Sequence, residues 1–453
     1  MSRKPRTLVL CFDGTTNEFD DANTNVVKLY SMLRKDKVED QVTYYQAGIG
    51  TYIQPGVVSP LFSWAAEMLD EAIAWYLYQH VMDGYQFLMQ NYNVGDKVLL
   101  FGFSRGAYTA RALAGMLHKV GLLSKDNIEQ IPFAYKLYKA DDNTDLSQGF
   151  KATFCREVPI EFVGVWDTVA SVGVIMGKTL PFVDVNTTIR VFRQALALDE
   201  VCADDLICRS LSRAQPFTLP LRHMRSFRAR ACHPSALPFI TFPTCKLTSA
   251  SHSVASHQVP SKLVSPFRVR GNDKSKPVQG AVPGGSDEVF ETDMKEVWFV
   301  GCHTDVGGSS TPNSVAHSLA NIPLRWMMQE IIRADCGILF DFDAFARWDI
   351  PITIGRDLYP HVSSQAGGNI VQPTHDQLKA VPAWWLLEII PTSYTYQNMK
   401  DKWVTRWSFH LGRGRYVPPS PLFHESVKTR MQDSKFKYKP RARYTQGTET
   451  YVT

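Results

Sequence analysis

The sequence predicts an α/β fold with a doubly wound, mostly parallel sheet, and three observations point there. Short apolar runs rich in Val, Leu and Phe recur along the chain, stretches of helical period separate them, and polar or glycine-rich turns close each run. Strands that alternate with helices join through crossovers, and crossovers give parallel sheets with helices on both faces.

Taken in order, the first run is Thr7–Phe12, closed by Asp13-Gly14-Thr15 and followed by helical period over Val26–Lys35. The second, Val42–Gln46, leads into Gly48-Ile49-Gly50. Helical period then covers Ser63–Tyr92, and the longest apolar stretch, Val57–Met89, is interrupted by Glu67, Asp70, Glu71 and His80, so it reads as a buried or amphipathic helix, not as a membrane span. The run Lys97–Gly102 passes at once into a helix over Arg105–Val120, and Ile128–Lys139 is helical again. Ile160–Trp166 ends in Asp167-Thr168, and Glu296–Gly301 ends near His303-Thr304-Asp305, with a helix over Pro323–Arg333 beyond. In such sheets the chemistry collects just past the carboxyl ends of the strands.

One region breaks the alternation. Residues 201–287 are rich in Ser, Pro, Arg and His and show little period, so a long irregular or disordered insertion is expected there. It would lie within one catalytic domain spanning 1–443, with 444–453 as a flexible tail.

Composition narrows the class. The 453 residues are 44% hydrophobic and 21% charged, enough apolar content for a large core. A net charge of +5 on this length argues against nucleic acid as a partner. The eight cysteines form no CxxC pair and no metal-ligand spacing, which suggests reduced thiols in a cytoplasmic protein and no resident metal. Met1–Arg6 runs into the first strand without an apolar h-region, so no signal peptide is expected. No GxxxxGK[ST] loop occurs, and no cofactor is expected.

The most specific motif is Gly102-Phe103-Ser104-Arg105-Gly106, set between an apolar strand and a helix. That is the form of a nucleophile elbow, in which a sharp strained turn lifts a serine Oγ clear of the sheet. The flanking glycines have a steric reason, since a side chain at either position would meet the neighbouring backbone. A serine hydroxyl becomes a useful nucleophile only when a histidine takes its proton and a carboxylate orients that histidine. In the α/β-hydrolase order Ser–Asp/Glu–His, two acids qualify, Asp167 and Asp305. Asp305 follows two predicted strands after the elbow, the usual place for the acid, which favours it. The base then comes later, from His317, His361, His375, His410 or His424, and His424 is the favoured one. The alternative is Ser104–Asp167–His303, which keeps the same order.

The oxyanion hole needs two backbone N–H groups. Arg105, directly after the nucleophile, supplies one, and the Asp13-Gly14-Thr15 or Gly48-Ile49-Gly50 loop could bring the other. Asp13 itself reads as an anchor that accepts loop N–H bonds. A phosphatase with Asp13 as nucleophile is a weaker alternative, because position 15 is Thr where a second Asp is usual.

Eight motifs in order extend this picture: Leu10–Asn17, Tyr45–Thr51, Gly102–Ala107, Val165–Val169, Ala195–Glu200, Trp298–Gly308, His410–Arg415 and His424–Val427. Together they resemble the α/β-hydrolase family called domain of unknown function 2235, which includes type VI secretion phospholipase effectors and many fungal proteins. The resemblance spans about Thr7–Arg430 and departs after Glu200, where relatives continue with a helical segment. It implies a serine esterase acting on carboxylic esters, those of lipids or phospholipids among them, with Ser104 as nucleophile and peripheral contact with a membrane. The reading from another class is a non-catalytic binding protein on the hydrolase fold.

Overall fold

The computed structural model describes residues 4–14, 17, 19–48, 62–140, 144–169, 188–201, 292–348, 353–354, 357–358, 366–380, 385–388, 392–397 and 403–453. The chain divides into one unit of Met1–Ala214 with Phe290–Thr453 and a second of Gln215–Val289. The second unit lies outside the described residues, as does the insertion expected over 201–287 apart from Val201.

The first unit is built on a sheet of eight strands: β1 Thr7–Phe12, β2 Gln41–Gln46, β3 Lys97–Phe103, β4 Ile160–Trp166, β5 Ile189–Ala197, β6 Asp293–Phe299, β7 Leu422–His424 and β8 Thr450–Val452. Their order is β8-β7-β6-β5-β4-β3-β1-β2, and every pairing is parallel. The winding runs outward from β1 to β2, then restarts at β3 on the other side. The reversal falls between β1 and β3, which is where ligands bind in open α/β sheets.

The strands form where the sequence has its apolar runs because both of their faces are buried. Val9 and Cys11 of β1 face a core shared with Leu29 and Met32, while Leu8, Leu10 and Phe12 face a second core shared with Tyr85 and Leu88. Side chains that alternate along a strand reach opposite faces, so helices must cover both. On the first face lie α1 (Asn25–Ser31) and, later in the chain, Asn321–Ala334. On the second lie α2 (Phe62–Asn91), α3 (Arg105–Val120), α4 (Ile131–Lys139) and α5 (Thr144–Phe154). Between β6 and Asn321–Ala334 comes a one-turn helix, α6, His303–Gly307; Asn321–Ala334 is then α7.

Two expectations change here. A strand not anticipated from the sequence, β5, stands between β4 and β6. It carries Arg193 and Gln194 in mid-strand, and Arg193 is stabilised there by Glu330 at 2.6 Å and Asp293 at 2.7 Å. The tail 444–453, expected to be flexible, instead supplies the edge strand β8. Thr450 N–H donates to Pro421 O at 2.9 Å, and Tyr451 packs edge-on against Phe423.

Candidate active site

Ser104 ends β3 and caps α3. Its backbone holds φ 57° and ψ −125°, a costly conformation for an L-residue that persists only where the surroundings over-determine it. Those surroundings are visible: Ser104 N–H donates to Trp166 O at 3.1 Å, and Ser104 O accepts from Tyr108 N–H at 3.3 Å and Val169 N–H at 3.2 Å. The flanking glycines leave no room for a side chain. A Cβ on Gly102 would stand 2.4 Å from Gly106 O, and one on Gly106 would stand 2.2 Å from Phe12 O. The serine therefore sits at the carboxyl edge of the sheet, beside the point where its winding reverses.

Asp167 follows β4, the neighbouring strand. It too has a positive φ, 39°, and it is fully buried. Its Oδ1 accepts from Ala197 N–H at 2.9 Å and Arg415 Nη1 at 2.6 Å. Its Oδ2 accepts from Arg415 Nη2 at 3.0 Å and lies 2.6 Å from His303 Nδ1. Burial alone would push the carboxyl's pKa up, but the Arg415 guanidinium and the His303 bond hold it well below the usual carboxylate range. An ionised carboxylate can only accept, so Nδ1 of His303 carries a proton and Nε2 is the basic nitrogen.

His303 opens α6, and its backbone N–H donates to Glu200 Oε2 at 2.9 Å. Its ring stacks on Phe103 with centroids 4.6 Å apart. Phe103 directly precedes Ser104, while Trp166, which accepts the Ser104 N–H, directly precedes Asp167. Asp167 and His303 are thus bonded to each other, and both lie beside residues that adjoin or bond Ser104, at the ends of β3, β4 and β6.

Asp305 and His424 are not brought together. Asp305 Oδ2 accepts from Cys302 N–H at 2.9 Å and His375 N–H at 2.8 Å, and Oδ1 lies 2.6 Å from His375 Nδ1. This carboxylate closes the turn of α6 and ties it to the segment around His375, whose pKa is raised by the Asp305 bond. His424 caps the helix Glu425–Gln432. Its Nδ1 accepts from Ser426 N–H at 3.1 Å, and its ring stacks on Phe299. Burial, then Lys295, pushes the imidazole down to about 4, so it is neutral at ordinary pH. A neutral ring whose Nδ1 accepts keeps its proton on Nε2, the wrong tautomer for taking a proton from a serine. The favoured pairing of Asp305 with His424 is corrected accordingly: Asp305 holds His375, and Asp167 holds His303.

The correction has a topological cause. With β5 present, Asp305 follows the third strand after the elbow. The second ends before Asp199, whose carboxylate accepts from Gly301 N–H at 2.8 Å, Tyr438 OH at 2.8 Å and Arg441 N–H at 3.1 Å. Asp199 is thus committed to holding loops.

The rim residues behave differently from one another. Asp13 is buried, with Oδ1 accepting from Gly14 N–H at 2.8 Å and Oδ2 from Thr24 OH at 3.0 Å and Tyr45 OH at 2.8 Å. Burial pushes it up to about 6 in spite of those bonds. It anchors the loop after β1. Gly14 lies against the nucleophile, since a Cβ there would come 3.1 Å from Ser104 Cβ. Its N–H, however, is engaged by Asp13 Oδ1. Arg105 opens α3, and its N–H belongs to the helix's first turn, where amides point back past the cap. Thr15 and Gly48-Ile49-Gly50 beyond Gly48 lie outside the described residues, as does His361. His410 pairs with Glu388 at 2.5 Å in a separate buried pair, and His317 lies against Gly368. Among the described residues, no group of three or more His, Cys, Asp or Glu could hold a metal ion.

Two residues at the site escaped the sequence reading: Arg415 on Asp167, and Glu200 on the backbone of His303. Both fall in motifs quoted for the resemblance, Ala195–Glu200 and His410–Arg415, which is the one signal that could have marked them.

Comparison with known proteins adds a family. A Saccharomyces cerevisiae protein, "Uncharacterized protein YEL023C", is 27% identical over 561 residues, covering 97% of this chain and 80% of that one. A crystal structure of an uncharacterised protein from Pseudomonas aeruginosa is 16% identical with a TM-score of 0.33, covering 75% of this chain and 47% of that one. The Tle1 effector bound to the VgrG spike of the type 6 secretion system is 15% identical with a TM-score of 0.30, covering 69% of this chain and 53% of that one. The chain thus spans about half the length of each solved structure, and likenesses at this level do not bear on the reaction. The family model for the catalytic domain of type VI secretion Tle1-like phospholipase effectors matches residues 6–330, well over half of the chain. By that match, the chain belongs to the Tle1-like phospholipase effector catalytic-domain family.

Proposed function

We propose that the protein is a serine hydrolase that cleaves carboxylic esters of lipids through an acyl-enzyme on Ser104. The observation that carries this reading is the strained serine at the winding reversal, next to a buried aspartate that fixes a histidine in the proton-accepting tautomer. The family's phospholipase description supports the lipid ester.

In this mechanism, Nε2 of His303 takes the Ser104 hydroxyl proton as Oγ attacks the acyl carbon. Charge develops on the former carbonyl oxygen, where the Arg105 N–H at the start of α3 offers a donor. The tetrahedral intermediate collapses as His303 returns the proton to the departing alcohol oxygen, which leaves Ser104 acylated. Water, deprotonated by the same nitrogen, then releases the carboxylic acid and restores the hydroxyl. Asp167 stays ionised throughout and stabilises the imidazolium that forms in each half-reaction.

No described helix is long and apolar enough to cross a membrane. A lipid substrate is then met by peripheral contact with a bilayer surface, from the cytoplasmic side on this proposal. Turnover of short-chain p-nitrophenyl esters and a panel of defined phospholipids tests the reading. Ser104→Ala should lower kcat/KM by at least about a thousandfold with the fold intact. Full turnover by that variant would refute it.

A further inference from the structure

Most of the site lies within the stretch that the family model covers, residues 6–330. One contact to its carboxylate comes from beyond that stretch. Arg415 is buried and forks across both oxygens of Asp167, Nη1 on Oδ1 at 2.6 Å and Nη2 on Oδ2 at 3.0 Å. The two residues are 248 apart in sequence. Such forked pairs fix orientation as well as charge, because the guanidinium is rigid and planar.

The arginine is itself held. Arg415 O accepts from Arg443 N–H at 2.7 Å, and Val417 N–H donates to Arg443 O at 3.0 Å. Ala442 N–H donates to Leu198 O at 2.9 Å just past β5. Next to it, Tyr438 OH and Arg441 N–H both reach Asp199. Asp199 in turn accepts from Gly301 N–H, two residues ahead of His303. The 410–443 segment thus bonds to residues just past β4 and β5 and, through Asp199, is joined to Gly301 past β6.

We propose that Arg415 is a positioning residue for the histidine–aspartate pair, holding Asp167 ionised and oriented and, by offsetting its charge, leaving His303 able to accept a proton from serine at lower pH than the bare pair would allow. The inference rests on the assignment of Ser104, Asp167 and His303 as the reacting group. Its physical basis is charge counting. A lone buried carboxylate beside an imidazole favours uptake of a proton by the pair, whether that proton settles on nitrogen or on oxygen. A cation across the carboxylate opposes that uptake in either case.

The test is the pH dependence of the rate at which a fluorophosphonate probe modifies Ser104. It is measured on the full chain as wild type, Arg415→Lys and Arg415→Met, with near-ultraviolet circular dichroism to check the fold. The wild-type rate should fall on the acid side as His303 becomes protonated. In Arg415→Met that midpoint should move up by about one pH unit, and the rate at pH 7 should drop at least about tenfold. Arg415→Lys keeps the charge without the fork, so its midpoint should return towards wild type while its plateau rate stays several-fold low. A merely structural arginine would lower the reactive fraction without moving the midpoint. A native Arg415→Met with an unmoved midpoint overturns the inference. If Arg415→Met does not fold, an Arg415→Lys variant with the wild-type plateau and midpoint overturns it as well. A wild-type chain that never labels at Ser104 overturns the site assignment itself, and the inference with it.

Discussion

His303 and His375 each hold an aspartate through Nδ1 at 2.6 Å, and the two aspartates, Asp167 and Asp305, differ in everything else they hold. Asp167 is met by Arg415 and the Ala197 N–H, and its histidine is stacked beside the strained serine. Asp305 is met by the N–H groups of Cys302 and His375, and its histidine is one-third exposed. One carboxylate is balanced by a cation and, in the proposed mechanism, serves a proton acceptor. The other is spent on closing a helical turn and fastening a segment to it. A histidine–aspartate bond is therefore no sign of catalysis by itself; what counts is which nitrogen is left over and what stands next to it.

Replacing each aspartate by its amide breaks this comparison most sharply. Asp167→Asn should cost about a thousandfold or more in kcat/KM, because an amide no longer dictates the His303 tautomer. Asp305→Asn should lower stability by about 1–3 kcal/mol, the range for a weakened buried hydrogen bond, and leave the folded fraction within about tenfold of wild-type activity. Thermal melts beside ester turnover separate the two effects. Equal activity losses in both variants would erase the distinction.

A smaller effect concerns His424, which stands outside both pairs. Asparagine is a good helix N-cap, so His424→Asn should keep activity within about threefold at pH 7. Its pH dependence is informative. The folded pKa of about 4 lies below the ordinary value of 6.5, so the neutral ring's contribution is fully present above pH 6.5. It is lost as pH falls towards 4. Between those limits the wild type should lose up to about 3 kcal/mol relative to His424→Asn. Denaturant unfolding of both chains across that window measures it, and a constant difference would contradict the buried, neutral imidazole.

Much of this was legible in the sequence. Thr7–Phe12 is an apolar run with matching boundaries, and Arg105–Val120 is a helix with matching boundaries, because burial on both strand faces and helical period leave strong local signals. Gly102, Ser104 and Gly106 were legible because the motif spans only five residues, although Gly106 is held to glycine by Phe12 O of β1, far away in sequence. The strand Ile189–Ala197 was not, since Arg193 and Gln194 interrupt its apolar pattern and their partners lie far away in sequence. Missing it shortened the strand count after the elbow, so the second-strand rule pointed to Asp305 where the full count points to Asp199; Asp167 follows the first strand on either count. Arg415 sits in a glycine-rich stretch with no period, and its purpose is set by a partner 248 residues away. The identity of His424 as a cap was hidden for a related reason, as the three-residue strand that it ends is too short to register as a run.

The central claim is that His303, steered by Asp167, activates Ser104. Mass-spectrometric mapping of fluorophosphonate modification in the wild type, His303→Ala and His424→Asn tests it most directly. Ser104 should carry the label in the wild type and in His424→Asn at similar rates, and His303→Ala should react at least about a thousandfold more slowly. Undiminished labelling of Ser104 in His303→Ala, or its loss in His424→Asn, would contradict the account.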